Sequence, residues 1–249
     1  MKIAVLVKLV PDTAASIKLT ADKSGIETRD LSWVLNPYDE YALEEALTIA
    51  ANTGGEVTVY SYGDEQAAEG LRKALAMGAN KAVRVKQAGS MDLLGTATAL
   101  TEAMKDQGYE MIFTGFKATD DDCAAIGPMV ATLMDMPCIT EVAKLEVTGD
   151  GVRAERDIEG GREIIESSLP CVITAQKGLN EPRYPSLKGI MMAKKKPIEE
   201  LEVSHTESRV EMLSYDYPPE RPAGKIVGEG VEAVPELVRL LREEARVIE

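Results

Sequence analysis

Short apolar runs alternate with longer stretches of three-to-four periodicity through the first half of the chain, and that alternation predicts an α/β fold. Ile3 to Val7 reads as a first, doubly buried parallel strand, broken by Val10-Pro-Asp-Thr13. Weak alternation from Ser16 to Leu35 around Asp22-Lys-Ser-Gly25 predicts a hairpin. Asn36-Pro37 then opens a helix, with Asn36 as its cap; Tyr41, Ala42, Leu43, Ala46, Leu47, Ile49 and Ala50 form its apolar face, and Gly54-Gly55 stops it. Strands follow at Glu56 to Tyr62, Lys81 to Val85 and Glu110 to Thr114. Helices are expected from Gly63-Asp64 to Gly78, from Met91 to Lys105, and through Met129, Leu133 and Met134. Four β-α units in succession predict an open, mostly parallel, doubly wound (Rossmann-like) sheet with helices on both faces.

After Pro137 the pattern changes. Ile139 to Val147, Val152 to Ile158, Arg162 to Ser167 and Pro170 to Ala175 are strand-like and joined by Gly149-Asp-Gly151 and Glu159-Gly-Gly161, which predicts an antiparallel extension of the sheet. Residues 197 to 231 have little periodicity and several prolines, among them Pro218, Pro219 and Pro222, and read as an extended arm. The arm ends in an amphipathic helix from Val231 to Val247, striped by Val234, Leu237, Leu240, Leu241 and Ala245. The division expected is a nucleotide-binding α/β domain over 1–196 and an arm with its helix over 197–249. The stripe packs either on a partner subunit or back on the chain's own sheet.

Composition narrows the classes. The 249 residues carry 42 Asp and Glu against 28 Lys and Arg, a formal charge of -14, which argues against nucleic-acid binding. Three cysteines, far apart, suggest neither a Cys-x-x-Cys site nor a disulfide framework. The five apolar residues between Lys2 and Lys8 are too few for a signal peptide or a membrane span. The expectation is a soluble cytoplasmic protein with no direct membrane insertion.

Catalytic fingerprints are missing from the sequence: no G-x-G-x-x-G after the first strand, no G-x-x-x-x-G-K-[ST], no G-x-S-x-G. The single histidine, His205, falls in the arm, which argues against a Ser-His or Cys-His nucleophile in the domain. Asp120-Asp-Asp122 reads as loop and helix start rather than as a metal site, with Asp122 capping a helix that begins near Cys123. Ligands of open α/β sheets sit at the carboxyl ends of the strands. That picks out Val7 to Asp12, Ser61-Tyr-Gly63, Gly115 to Gly127 and Asn36, with backbone amides near Cys123 available to a phosphate.

One stretch stands apart. From Lys177 to Pro197 there are six Lys or Arg against one Glu, a net +5 within an acidic chain. Two prolines stiffen it, and Leu187, Ile190, Met191 and Met192 give it apolar tips before Lys194-Lys-Lys196. It reads either as a docking surface or as a surface loop feeding a solvated, lysine-rich helix end.

Several motifs, in order along nearly the whole chain, resemble the electron transfer flavoprotein β-subunit family. They are Lys8-Leu-Val-Pro-Asp12, Asn36-Pro-Tyr-Asp-Glu40 with Ala42-Leu-Glu-Glu-Ala46, Ala74-Leu-Ala-Met-Gly-Ala79, Asp120-Asp-Asp-Cys123, Glu155-Arg-Asp-Ile-Glu-Gly-Gly161 and Leu179-Asn-Glu-Pro-Arg-Tyr184 running on to Ala193-Lys-Lys-Lys196. The resemblance implies an electron carrier rather than an enzyme. Its partner would be an α subunit holding most of the FAD, its electron donors acyl-CoA dehydrogenases and related flavoenzymes of fatty acid oxidation, and its acceptor a quinone oxidoreductase. It implies a structural AMP here at Leu6, Asn36, Val59, Tyr60, Ser61, Tyr62, Gly115, Asp122, Cys123, Ala124, Ala125 and Ile126. It implies partner recognition by Arg183, Tyr184, Leu187, Ile190, Met191, Lys194, Lys195 and Lys196, with Leu187 as the apolar anchor of a recognition loop over 177–197. The arm would wrap the α subunit.

The chain departs from the family's usual pattern at Ala124-Ala-Ile-Gly-Pro128, where polar Asn-Gln-Thr-Gly-Gln is common. Gly127-Pro128 and Val10-Pro-Asp-Thr13 resemble electron-bifurcating relatives, in which a second FAD replaces AMP. Those relatives carry a Thr/Gln-containing loop and lack Asn-Glu-Pro-Arg-Tyr, so AMP is the expectation. The remaining alternatives are an adenine-nucleotide-binding enzyme such as an ATP-pyrophosphatase-like ligase, which would need a Ser/Gly-rich loop after the first strand, and a non-redox nucleotide-binding module, which leaves Leu187 and the arm unexplained.

Overall fold

The computed structural model describes residues 1–87, 91–204, 208–220 and 223–248; His205 and Pro222 lie outside the described residues. Two units are present, Met1–Leu213 and Ser214–Glu249. The first is built on a nine-stranded sheet. In chain order its elements are β1 (Lys2–Leu6), β2 (Leu9–Pro11), β3 (Trp33–Leu35), α1 (Pro37–Thr53), β4 (Glu56–Gly63), α2 (Ala67–Met77), β5 (Lys81–Lys86), α3 (Leu93–Met104), β6 (Met111–Gly115), α4 (Ile126–Leu133), β7 (Cys138–Val147), β8 (Gly151–Ile158), β9 (Gly161–Ser168), β10 (Cys171–Ala175), α5 (Leu187–Lys195) and β11 (Glu199–Leu201). The strand order is β11-β5-β4-β1-β6-β10-β7-β8-β9, parallel from β11 through to β7 and antiparallel at β7-β8 and β8-β9.

This is the open, mostly parallel α/β sheet that the alternating pattern predicts, with an antiparallel extension. One strand is reassigned. The run ending at Ala175 is parallel, not part of the antiparallel extension: β10 lies between β6 and β7, in register with both, Ile173 against Phe113 and against Ile139. All five of its residues are buried, as expected of a strand with sheet on both edges and helices above and below. The hairpin expected over 16–35 contracts to a single bridge, Leu19 to Ile26. Residues 9–11 and 33–35 pair instead as a small antiparallel ribbon, so Val10-Pro11 forms strand where a break was expected. Helix α2 starts at Ala67, later than Gly63-Asp64. The stretch expected as a recognition loop contains α5, and the arm contributes an edge strand, β11, parallel to β5.

Strand alternation divides the core in two. Ile3, Val5, Val57, Val59, Met111 and Phe113 face α1 and α2; Ala4, Leu6, Tyr60, Val83, Val85 and Ile112 face α3 and α4. In the second layer the Tyr60 and Tyr109 hydroxyls meet at 2.7 Å, with their rings edge to face. Burial and this partner push the Tyr60 pKa up, so its phenol stays neutral. Among the described residues no helix is long and apolar enough to cross a membrane. In the second unit a 3-10 turn, Val231–Ala233, leads into α6 (Val234–Glu243), shorter than the helix expected to Val247.

The buried tyrosine pair gives a test of the second core layer. Tyr109→Phe strands the Tyr60 hydroxyl and is expected to cost about 1–3 kcal/mol, read by denaturant unfolding, and adding Tyr60→Phe should recover part of it; strictly additive losses would show that the hydroxyls do not depend on each other.

Candidate functional site

The sheet reverses its winding at β1, because the chain passes first to β4 on one side and later to β6 on the other. A crevice at the carboxyl ends of β1 and β6 follows from that reversal. Helix α1 points its first turn at this crevice. Asn36 occupies the cap position and its carbonyl accepts from the Asp39 and Glu40 amides, as the sequence predicts. Its side chain does not cap the helix. The Asn36 amide nitrogen donates to Lys117 O and to Asp39 Oδ1, both at 2.9 Å, while Oδ1 accepts from Thr119 N at 3.3 Å.

Asp39 completes the arrangement. Its carboxylate accepts from the Lys8 amide at 2.7 Å, just beyond β1, and from the Gly115 amide at 2.9 Å, at the end of β6. A Cβ on Gly115 would overlap Asp39 Oδ1 and sit 2.6 Å from Tyr38 Cβ, so only glycine lets α1 approach this closely. Asp39 is buried, and burial pushes its pKa up to about 7 against the pull of its hydrogen bonds and of Lys8. Sequence reading did not single out Asp39. The available signal was an acid on the buried stripe, three and four residues before Ala42 and Leu43.

The loop from Phe116 to Ala125 is held over the crevice by ion pairs. Lys8 Nζ contacts Asp120 at 2.8 Å and Asp121 at 2.9 Å, and Lys117 Nζ contacts Asp122 at 3.0 Å. Burial alone would lower the Lys8 pKa; the two aspartates outweigh it and leave the pKa raised. Asp122 therefore does not cap a helix. Helix α4 begins at Ile126 rather than near Cys123, because Asp122 and Ala124 adopt left-handed backbone angles, φ 53° and 52°. Its cap position, Ala125, brings no side-chain acceptor to the first-turn amides. Thr119 Oγ1 is buried without a hydrogen-bond partner among the described residues.

The other expected nucleotide residues are distributed by alternation. Leu6 and Tyr60 are buried toward α3, with Tyr62 partly buried beside them, while Val59 belongs to the opposite layer and Ser61 is buried one residue before Tyr62. Gly115 is buried against Tyr38 and Asp39 of α1. Asp122, Cys123 and Ala124 are exposed, and Ala125 and Ile126 are partly buried at the start of α4.

The 177–197 stretch forms a second, separate feature. Arg183 makes a forked pair with Glu44 of α1, Nε to Oε2 and Nη2 to Oε1, both at 2.7 Å, and its amide adds a third bond to the same carboxylate. Ser186 caps α5 by accepting from the Gly189 amide. Tyr184 and Leu187 are 95% and 83% exposed; Ile190, Met191, Met192, Lys194 and Lys195 are exposed as well. Lys196 turns inward and donates to Ala79 O at 2.7 Å.

Asp39 makes stability depend on pH in a defined direction. Its folded value lies above the ordinary 3.8, so its contribution is complete below about pH 4 and is lost as pH rises through about 7. Relative to Asp39→Asn, which cannot titrate, the wild-type protein is expected to lose on the order of 4 kcal/mol across that window. A stability difference between the two proteins that stays constant from pH 4 to 7 would remove Asp39 as the titrating group.

Comparison with known proteins bears on all of these features. Residues 24–206 match the electron transfer flavoprotein domain. The chain is 43% identical to the electron transfer flavoprotein subunit beta of Bacillus subtilis, with 100% of both chains covered. It is 38% identical to that of Mus musculus, with 99% of each covered, and 39% identical to the mitochondrial one of Arabidopsis thaliana, with 100% of each covered. With the domain matched over most of its length and β subunits matched from end to end, the chain belongs to the electron transfer flavoprotein β-subunit family.

Proposed function

We propose that the chain is the β half of a cytoplasmic heterodimeric electron carrier. An α subunit holds most of the FAD, which supplies the redox chemistry. Electrons come from acyl-CoA dehydrogenases and related flavoenzymes and go to a quinone oxidoreductase. The observation that carries this reading is the outward face of α5, where Leu187 and Met191 project beside Lys194 and Lys195 from a helix fastened to the domain. Exposed apolar side chains on a short, firmly seated element fit a docking anchor, and the lysines steer an acidic partner surface toward it.

In this reading a nucleotide such as AMP sits at the carboxyl ends of β1 and β6. Its phosphate would meet the uncapped first-turn amides of α4, with Lys8 and Lys117 nearby. The unpartnered Thr119 hydroxyl would gain an acceptor or donor there. In the second unit Val231, Val234 and Leu237 are exposed while Leu240 is buried, which leaves an apolar strip for the α subunit to cover.

Two outcomes test the reading. Denaturing the purified heterodimer is expected to release one FAD and one AMP; two FAD would assign the crevice to a second flavin and electron bifurcation. Leu187→Ala is expected to slow transfer from the cognate dehydrogenase by the loss of about 1–3 kcal/mol of docking energy, with heterodimer and flavin content intact. Unchanged transfer kinetics would remove Leu187 as the anchor.

A further inference from the structure

Helix α5 presents two faces of different composition. Leu187 and Met191 with Lys194 and Lys195 point outward, whereas Gly189 and Ala193 lie against α2. A Cβ on Gly189 would stand 2.5 Å from Ala76 O, and Ala193 is buried. Such a small-residue face buries little apolar area, so packing alone holds the helix weakly. Nine residues are also too few for a helix to persist unaided. Something else has to fix it.

The last carbonyls of α5 are met from α2. Arg72 Nη1 donates to Ala193 O and, at 2.6 Å, to Lys196 O. Ala193 O also accepts from the Lys196 amide, at 3.3 Å; both carbonyls belong to the helix end, where intrahelical donors run short, and a cation is the favourable partner for a helix carboxyl terminus. We infer that Arg72 is a positioning residue for dehydrogenase docking: its guanidinium bridges the Ala193 and Lys196 carbonyls and locks α5 onto α2, so that Leu187 and Met191 are presented in one fixed orientation. The inference rests on the docking role proposed for α5. Arg72 itself stays behind the helix, off the Leu187 and Met191 face, so its effect reaches the partner through α5.

The geometry separates Arg72 from the other fastener of the segment. Arg183 with Glu44 secures the chain before α5 begins, and Ser186 caps its start. Arg72 acts at the far end, where Lys196 turns inward to Ala79 O. Removing Arg72 therefore takes the tie to α2 from the carboxyl-terminal turn, leaving Lys196 with Ala79 O there, while the amino-terminal attachment remains.

The experiment uses the intact heterodimer carrying Arg72→Met, which keeps much of the buried stem, and Arg72→Lys, which keeps the charge. Amide hydrogen exchange over 190–196 is expected to rise about tenfold or more in Arg72→Met, the scale of losing hydrogen bonds from a charged donor. The apparent KM of the dehydrogenase for the carrier is expected to rise severalfold, while kcat and the flavin and nucleotide content stay at wild-type values. Arg72→Lys should restore part of both effects. Unchanged exchange over 190–196 in Arg72→Met would overturn the lock. Faster exchange with an unchanged KM would overturn the positioning role, and if Leu187→Ala still raised KM in the same assay, the docking reading would stand without it. An unchanged KM in both variants would overturn the docking reading itself.

Discussion

The parallel ladder between β1 and β6 ends at Val5 and Phe113, and the two strands connect outward in opposite directions, so their carboxyl ends need a tie beyond the ladder. In this protein a single buried carboxylate supplies that tie. Asp39 joins the amide beyond β1 to the amide ending β6 and orients Asn36 toward the loop that follows. Its position in the first turn of α1 is favourable for negative charge, and its three N–H donors replace part of the lost hydration. The arrangement makes the spacing of the crevice a property of one side chain. Glycine at 115 is the matching requirement, because any larger residue would push α1 and its carboxylate away.

Charge is used differently at the two features of the domain. Around the strand ends, Lys8 and Lys117 pair with Asp120, Asp121 and Asp122, so the loop there is shaped by ion pairs. On α5 the basic residues of the last turn face outward on a protein whose formal charge is -14. A cationic patch on an acidic body orients an approaching partner as well as attracting it. The strand ends under the loop are thus set among paired charges, whereas α5 offers a cationic surface unpaired among the described residues.

The layered α/β plan was legible in the sequence because each helix has its own apolar period and each buried strand its own run. What escaped depends on neighbours far along the chain. The run ending at Ala175 announces a strand, but nothing local says that it pairs with residues 111–115 rather than with the hairpin just before it. Of helix α5 only a lysine-rich end was read, because its buried face is Gly189 and Ala193, which give almost no hydrophobic signal. Asp39 and Glu44 of α1 were not singled out, although both sit on its buried side and are held by partners from other elements. The late start of α4 depends on two left-handed residues, Asp122 and Ala124, whose types do not demand that geometry.

The place of β10 has a consequence for how the chain assembles as it is made. Strands β5, β4, β1 and β6 are complete by residue 115 and are mutual neighbours, so they form a sheet with their own helices early. Strands β7, β8 and β9 come next, yet β7 has no partner among the strands already made; its parallel neighbour is β10, which is the last of this group to be synthesised. Until residues 171–175 are available, the nascent protein consists of a half-sheet and a three-stranded meander with a one-strand gap between them. Each then shows a bare edge, a template for pairing with another chain. Insertion of that fully buried strand closes both edges in a single step and makes one sheet of the two pieces.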